Sequence, residues 1–338
     1  MYPLDQGMWG PTVRITHLRD ELGAMANLDV VAGYRGPRRT SLVRYAFSGR
    51  LRGLDGIYVE SSSFLASETD LAFLALARGL RIPVLTYIRD AYQLFPDEYA
   101  VDTPRRWLGA KAFLPMLRAL RSVSSRLAFP TAGLADAVGV APNAALMLPP
   151  GAPAPVNVGR APSANRLLFV GDARRAVHGV DRLIDAVGLV RQRGVDVELT
   201  VVCRPGQEPP GTHPAWLRVE RAEGEAIHAL LPEVVATVIP RPRTAYNDLA
   251  LPIKLMEYLS YGRPLIVTDC TEQARVVRDA DAGAVTADAI QSIADGIAHV
   301  VSASAAEQDA WSSNAEAAAR SAAWRHRAQM ILAHLVPG

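Results

Sequence analysis

The sequence contains little lysine and little cysteine. Only two of its 36 basic residues are lysines, Lys111 and Lys254, so each is a candidate for a specific role. The two cysteines, Cys203 and Cys270, are too few for a disulfide framework. The net charge of +2 provides no overall field that would attract nucleic acid, and we expect no nucleic-acid partner.

Long apolar runs are absent too. No run reaches the roughly 20 residues that span a bilayer, and the N-terminus lacks the basic, apolar and small-residue order of a signal peptide. These absences predict a cytoplasmic protein. With 49% hydrophobic and 21% charged residues, the 338-residue chain has the composition of a globular protein and the length for two domains.

Short β-branched runs alternate with longer amphipathic ones, which predicts an α/β fold of parallel sheets covered by helices. The predicted strands are Asp55–Glu60, Ile82–Ile88, Arg166–Gly171, Val195–Cys203, Val234–Pro240 and Pro264–Asp269. The predicted helices include Pro11–Met25, Leu71–Gly79, Pro252–Tyr261 and Thr271–Asp279. A Pro-rich passage from Pro149 to Asn165 predicts a linker between two doubly wound domains that face one another across a cleft. Ligands of such sheets lie beyond the carboxyl ends of the strands.

The most informative segment runs from Leu251 to Pro264. Pro252 suits the start of a helix and Gly262 its end. Lys254 and Glu257 are three residues apart and therefore share one helix face near the N-terminus, where free N–H groups and the helix dipole attract anions. A diphosphate would find an ammonium there, and a ribose diol a carboxylate. The alternative is an exposed helical ion pair with no ligand.

This segment resembles the donor-site signature of GT-B glycosyltransferases of the GT4-like type. The matching residues are Pro252, Lys254, Glu257, Tyr258 and the Gly262–Pro264 turn. Phe169-Val-Gly171, the loop after it and Gly179–Ala186 resemble another segment of that family, as do Leu148–Gly151 and the final helix with Trp324. The resemblance implies the GT-B fold, with two Rossmann-like domains at residues 1–150 and 151–322. It also implies that the helix at 323–338 packs back on the first domain.

The resemblance also implies an activity. The chain is expected to be a retaining glycosyltransferase of the hexosyltransferase type that uses a nucleotide-diphosphate sugar as co-substrate and needs no cofactor. Lys254 and Glu257 are then expected to hold the diphosphate and the ribose of the donor. No metal is expected, because the sequence has no Asp-x-Asp pair after a strand and no His/Cys cluster with ligand spacing.

The chain departs from the family pattern in the loop after Gly171. The positions of the usual arginine and lysine are occupied by Asp172 and His178. Arg174 and Arg175 are candidates to replace the lost charge, with a solvated loop as the alternative. His178 is either a phosphate contact, whose affinity would fall as pH rises through its pKa, or a plain loop histidine.

Four further residues are candidates for contacts to the donor. The acidic residue expected eight positions before Glu257 is Leu249, so Asn247 and Asp248 are candidates for contacts to the sugar hydroxyls. Arg243 is a candidate for stabilising the leaving diphosphate. Glu272 is either a contact to donor hydroxyls or a first-turn acid of the next helix.

The first domain is expected to carry the acceptor side. Gly10 belongs to a glycine-rich loop in which the backbone can approach a ligand closely, expected under the donor sugar and beside the acceptor. The alternative is an ordinary strand-to-helix turn. Asp90 follows a strand and matches the acid of a frequent His-Asp pair in the family, with Arg89 in place of the histidine. We list Asp90 as a catalytic candidate, and a loop cap as its alternative. The loop begins at residue 2, so the usual first strand is expected either to lie upstream of this start or to be missing.

Residues 105–129 predict an amphipathic helix with an apolar face and a basic face. One interpretation is a helix that docks to anionic lipid, which would suit a lipid-linked acceptor and a peripheral location at the inner membrane face. The other is a helix that packs on its own sheet. The acceptor class therefore stays open between glycans, lipid-linked sugars and small molecules.

Two other functions compete with the transferase. A non-catalytic GT-B-like partner protein is favoured by the missing first strand and by Asp172, His178 and Leu249. A sugar-nucleotide epimerase on the same architecture would need acid and base residues in the cleft and no acceptor.

Overall fold

The structure, a computed structural model, describes residues 10–33, 35–61, 66–99, 102–159 and 165–336. The chain forms two compact units. The N-terminal unit comprises Met1–Gly151 together with Trp324–Gly338, and the C-terminal unit comprises Ala152–Ala323.

Both units alternate helices and strands. The α-helices are α1 (Gly10–Met25), α2 (Arg35–Phe47), α3 (Glu68–Gly79), α4 (Pro104–Val123), α5 (Ala132–Ala137), α6 (Val180–Gln192), α7 (Glu225–His228), α8 (Ala245–Leu249), α9 (Ile253–Ser260), α10 (Thr271–Ala280), α11 (Ile290–Ser302), α12 (Ala305–Ser321) and α13 (Trp324–Leu335). The strands are β1 (Ile57–Glu60), β2 (Val84–Tyr87), β3 (Arg126–Phe129), β4 (Leu146–Met147), β5 (Arg166–Val170), β6 (Glu198–Val202), β7 (Leu217–Glu220), β8 (Val234–Ile239), β9 (Leu265–Thr268) and β10 (Gly283–Thr286).

The N-terminal unit has a parallel sheet of order β1-β2-β3-β4 in the part of the chain that the structure describes. One side of this sheet is covered by α1 and α13, whose apolar faces share a cluster that includes Leu18, Leu85 and Ile331. Trp324 opens α13 and packs on Gly151, where an added Cβ would lie 2.5 Å from the indole ring. The last helix of the chain is therefore part of this unit.

The C-terminal unit has a parallel sheet of order β10-β9-β8-β5-β6-β7. The helices α6 and α11 pack against one side, in a core around Phe169 and Leu183. The helices α9 and α12 pack against the other side, around Leu168 and Leu259. The strand order reverses beside β5, so the carboxyl ends of β5 and β8 are the position where doubly wound sheets bind ligands.

The predicted α/β fold is confirmed, with two parallel sheets that are flanked by helices. Every predicted strand forms, each shorter by one or more residues at its ends. These segments were recognisable because a strand that is buried on both faces is a continuous apolar run. All six residues of β8 are buried, for example.

The prediction of one helix over residues 105–129 was wrong at its C-terminal end. The helix α4 ends at Val123, and residues 126–129 form β3 in the middle of the sheet. Ser124 and Ser125 separate the helix α4 from the strand β3. The Ser124 hydroxyl is hydrogen-bonded to the Thr86 hydroxyl at 2.7 Å, and the Ser125 hydroxyl accepts the Val84 N–H at 3.0 Å. Phe113, Leu117 and Leu120 are buried in the core of the unit, as expected for a helix that packs on its own sheet.

A cavity of about 140 Å³ lies in the N-terminal unit. Side chains of α1 and α2, the segment 27–31 and β1 line it, and most of them are apolar. None of the residues predicted to bind a ligand is among them, so this cavity is separate from the predicted chemistry.

Candidate functional site

Lys254 and Glu257 lie on the helix α9, whose sequence fixes their direction. Leu255, Met256 and Leu259 are buried against the sheet, so the two charged residues are left on the other side, and both are half-buried. Pro252, the predicted first residue of this helix, is its N-cap, and α9 begins one residue later at Ile253. Gly262, with φ of 59°, follows the end of the helix.

The Lys254 ammonium lies at the carboxyl end of β5. Its Nζ atom is 4.4 Å from the centroid of the buried Phe169 ring, a cation–π contact. A Cβ atom added at Gly171 would lie 2.8 Å from Nζ. Gly171 has φ of 142°, which side chains rarely adopt, and the missing side chain leaves the space that the ammonium occupies.

Burial shifts the pKa values of Lys254 and Glu257 in opposite directions. Burial lowers the pKa of Lys254 to about 8, and the positive charge of Arg241 adds to this, while Glu257 and Asp172 oppose it. Burial raises the pKa of Glu257, and Lys254 opposes that rise. Among the described residues the Lys254 ammonium forms no ion pair, so its charge is available to an anion.

The loop after β5 brings the other predicted phosphate contacts together. Asp172 shapes it: its carboxylate accepts the backbone N–H of Arg174 at 3.0 Å, and its carbonyl lies 2.5 Å from Nδ1 of His178. Arg174 and Arg175 are exposed on this loop, and Arg174 also donates to the carbonyl of Gly206 at 3.4 Å.

Arg241 is a residue that the sequence reasoning missed. It directly follows Pro240 beyond β8 and is buried, with its guanidinium bonded to the Asn247 side chain and, at 3.0 Å, to the Ala250 carbonyl. Its charge lowers the pKa values of both Lys254 and His178, which places it beside the site. Its position at the carboxyl end of a predicted strand was the available signal.

Asn247 is buried and its amide is bonded within the protein. The side-chain oxygen accepts from Arg241, and the side-chain nitrogen donates to the carbonyls of Pro242 at 2.9 Å and Val177 at 3.4 Å. The residue thus ties the segment after β8 to the loop before α6. These bonds hold the frame of the site and leave the amide few groups for a ligand.

Arg243 and Asp248 are paired with each other. The Arg243 Nη2 atom is 2.8 Å from Asp248, its Nη1 atom is 3.6 Å from Asp269, and its backbone N–H donates to Asp288. Asp248 also accepts the Thr271 N–H at 3.1 Å at the start of α10. Nearby carboxylates therefore compensate the charge of Arg243, unlike that of Lys254.

Glu272 lies in the first turn of α10, the position that the helix alternative predicted. The residue is buried, and its carboxylate is 2.9 Å from Arg275 one turn later. The structure therefore accounts for the acid as part of the helix, and a contact to donor hydroxyls stays a prediction.

Asp90 lies just beyond β2, at the carboxyl end of the sheet in the N-terminal unit. The Arg89 guanidinium is 2.7 Å from its carboxylate, and the Tyr92 hydroxyl is also hydrogen-bonded to it. The pair of Arg89 and Asp90 thus forms a bonded polar group in place of the family's His-Asp pair. Gly10 is the first residue of α1, and the rest of the predicted glycine-rich loop lies outside the described residues.

A second polar cluster in the N-terminal unit was not predicted. Arg14 of α1 is buried, with Nε 2.8 Å from Glu60 at the end of β1, and its guanidinium lies 3.7 Å from the centroid of the Tyr87 ring at the end of β2. The Tyr58 hydroxyl donates to Glu60 at 2.5 Å. One Arg14 nitrogen and one Glu60 oxygen have no hydrogen-bond partner among the residues that the structure describes. Glu60 ended a predicted strand, which was the available signal.

The described residues contain no group of three or more His, Cys, Asp or Glu side chains arranged to hold a metal ion. Among the described helices, none combines the length and apolarity that crossing a bilayer requires.

Part of the chain matches a known protein family. Residues 164–303 match the profile of the family "Glycosyl transferases group 1", and this range includes Lys254, Glu257 and the loop after β5. Comparison with curated protein sequences gives no match.

Several solved structures share the fold over most of the chain. The glycosyltransferase WaaG, involved in lipopolysaccharide biosynthesis, is 15% identical with a TM-score of 0.63, and the match covers 100% of this chain and 99% of that one. Anabaena HepE in complex with UDP and glucose is 14% identical, with a TM-score of 0.64 and coverage of 98% and 97%. A UDP-forming trehalose-phosphate synthase from Burkholderia xenovorans, in complex with glucose-6-phosphate, is 11% identical, with a TM-score of 0.61 and coverage of 97% and 78%.

The family profile and the fold point to the same conclusion. The C-terminal unit carries the group 1 domain, and the whole chain follows the two-domain GT-B architecture of these structures. The chain is therefore a glycosyltransferase, an enzyme with a group 1 domain at residues 164–303 and the GT-B fold.

Proposed function

We propose that the chain is a retaining glycosyltransferase that transfers a hexose from a nucleotide-diphosphate sugar, and that it binds this donor at Lys254 and Glu257. The observation that carries the proposal is the half-buried Lys254 ammonium at the carboxyl end of β5. Burying a charge is costly unless a partner compensates it. An anionic ligand at this position would be that partner.

Each group of the donor has a matching group in the C-terminal unit. Lys254 binds the diphosphate as a compact point charge. Arg174 and Arg175 add positive charge from the loop, and the N-terminus of α6 follows that loop. Glu257, one turn beyond Lys254, accepts hydrogen bonds from the ribose hydroxyls.

The reaction proceeds on one face of the sugar. The bond between the anomeric carbon and the diphosphate oxygen breaks, and a bond to the acceptor oxygen forms on the same face. The acceptor proton passes to an oxygen of the leaving diphosphate, so no protein base is required. Lys254 stabilises the charge that develops on the leaving group, which is where such electrostatic catalysis is most effective.

The remaining assignments are also proposals. Positive side chains take the place of a metal ion, so transfer continues in a chelator such as EDTA. The acceptor is a glycan, a lipid-linked sugar or a small molecule, with Asp90 beside its hydroxyl. The protein acts in the cytoplasm, and the exposed side of α4 is the candidate contact with the inner membrane face.

A thermal-shift screen tests the donor site. Purified protein is melted with UDP, GDP, ADP, dTDP and their sugars. UDP-glucose is the first donor because HepE is described with UDP and glucose. Lys254→Ala is the test variant, and Lys111→Ala, which removes the other lysine from an exposed position on α4, is its matched control.

The expected shift is measurable. A ligand at 100 times its Kd adds about 2.7 kcal/mol of stability, which for a unit of this size corresponds to about 5–10 °C in Tm. We expect one nucleotide to produce this shift in the wild type and in Lys111→Ala but not in Lys254→Ala. Cooperative melting with no nucleotide shift, or an equal shift in both lysine variants, would contradict the proposed site.

A further inference from the structure

His178 lies near the end of the loop after β5 and is held in one orientation. It ends a short turn, residues 176–178, before the N-cap Gly179 of α6. An added Cβ at Gly179 would lie 1.9 Å from the Pro240 carbonyl oxygen, so the loop is pressed against the end of β8. The imidazole is half-buried in this position.

The hydrogen bond of His178 fixes its tautomer. Nδ1 lies 2.5 Å from the backbone carbonyl oxygen of Asp172. A carbonyl oxygen only accepts hydrogen bonds, so Nδ1 carries the proton. In the neutral ring the other nitrogen, Nε2, is then an acceptor. It makes no hydrogen bond to any residue that the structure describes.

The surroundings of His178 keep the ring neutral. Burial lowers its pKa to about 3, and the positive charges of Lys254, Arg175 and Arg241 contribute, against the bond to Asp172. These surroundings favour the neutral imidazole in the ligand-free protein. A phosphate contact by His178, with an affinity that falls as pH rises through its pKa, stays a prediction, and it would require the bound anion to raise this pKa.

A neutral acceptor selects a different ligand group from a cation. Diphosphate oxygens are acceptors, and they would meet the lone pair of Nε2 unfavourably. A hydroxyl group has the proton that this lone pair needs. The donor carries hydroxyl groups on its ribose and on its sugar, on either side of the diphosphate that Lys254 attracts.

We propose that His178 is a specificity-determining residue that accepts a hydrogen bond from a hydroxyl group of the bound donor through Nε2. The inference rests on the proposed function, because it assumes a nucleotide-diphosphate sugar at Lys254. In GT4-like enzymes a lysine at the position of His178 is expected to neutralise phosphate charge. In this protein we expect His178 to recognise a hydroxyl group.

The test combines one variant with ligands that lack single hydroxyls. His178→Asn keeps an N–H near the position of Nδ1, so that the bond to the Asp172 carbonyl is retained, and it removes the acceptor at Nε2. Dissociation constants are measured by calorimetry at pH 7.5 for UDP, UDP-glucose, 2′-deoxy-UDP, 3′-deoxy-UDP and UDP-glucose analogues with one sugar hydroxyl removed. The melting temperature of each ligand-free protein checks folding.

We expect His178→Asn to weaken binding of the hydroxyl-bearing ligand about tenfold, as for one lost hydrogen bond. The wild type and the variant should bind the matching deoxy analogue equally weakly. If the hydroxyl belongs to the sugar, only UDP-glucose is affected. If it belongs to the ribose, UDP and UDP-glucose are affected alike, and one deoxy-UDP removes the difference.

Three results would overturn the inference. The first is an unchanged affinity of His178→Asn for every ligand, and the second is an equal loss for all ligands including every deoxy analogue. The third is UDP affinity that rises tenfold between pH 7.5 and 5.5 in the wild type but not in the variant, which would indicate a protonated histidine on phosphate. A wild type without Lys254-dependent nucleotide binding would overturn the proposed function as well.

Discussion

The depressed pKa of Lys254 predicts how donor affinity changes with pH. In the free protein Lys254 loses its proton around pH 8, because burial and Arg241 disfavour the ammonium. A bound diphosphate would favour the ammonium and raise the pKa back towards the usual range. The complex therefore needs the proton, and the free protein gives it up above pH 8.

The magnitude follows from this linkage. Below pH 8 the lysine is charged in both states, and affinity does not depend on its titration. Above pH 8 the free protein must take up a proton on binding, so the Kd rises by up to tenfold per pH unit. Between pH 7 and pH 9 we expect the Kd for a nucleoside diphosphate to rise about tenfold.

Calorimetry in buffers of different ionisation enthalpy measures both quantities. At pH 8.5 the wild type should take up about three quarters of a proton per nucleotide bound. Lys254→Arg keeps its charge over this range and should show neither the uptake nor the rise in Kd. A constant wild-type Kd from pH 7 to pH 9, or the same rise in Lys254→Arg, would refute the assignment of this titration to Lys254.

Three further predictions concern the same features. Lys254→Met should stabilise the ligand-free protein at pH 7, because the variant buries no charge. The free energy of unfolding should rise by at most about 3 kcal/mol, which a higher Tm would show and a lower Tm would contradict. Gly171→Ala should weaken nucleotide binding at least tenfold by displacing the ammonium. The same change at Gly188 in α6 should not, because an added Cβ there would make only an ordinary 3.9 Å contact with Trp216, and calorimetry compares the two variants. If α4 docks to membranes, Trp107→Glu, at a side chain that is 56% exposed, should abolish co-sedimentation with anionic liposomes. Phe47→Glu, at the end of α2, should not, and a wild type that stays in the supernatant at low salt would refute membrane docking.

Much of the fold was predictable because its signals are local. The buried strands are continuous apolar runs, and the helix α9 is bounded by Pro252 and Gly262. The positions of Lys254 and Glu257 followed from helical spacing alone. Local signals also misled at residues 105–129, where Leu127 happens to continue the helical period of α4 although it belongs to β3.

The bonding of the site was not predictable in the same way. Arg14 and Glu60 are 46 residues apart in sequence, and nothing local indicates that they pair. Asp248 contacts the start of α10 from 23 residues away. The charge state of His178 depends on Lys254 and Arg241, which the fold brings close from other elements. Such contacts are properties of the folded chain and leave no periodic pattern in the sequence.

The positively charged side chains around the candidate site differ in whether other protein groups already bind them. Arg241 is bonded to Asn247 and to a backbone carbonyl, and Arg243 is held by Asp248 and Asp269. His178 is neutral. Arg174 and Arg175 are exposed, where water screens their charge. Lys254 is half-buried, and no carboxylate among the described residues forms an ion pair with it. A charge in such a low-dielectric position attracts an anion strongly. The missing side chain of Gly171 leaves the space above Phe169 that this ammonium occupies, so the glycine is what allows the charge to lie at the carboxyl end of β5.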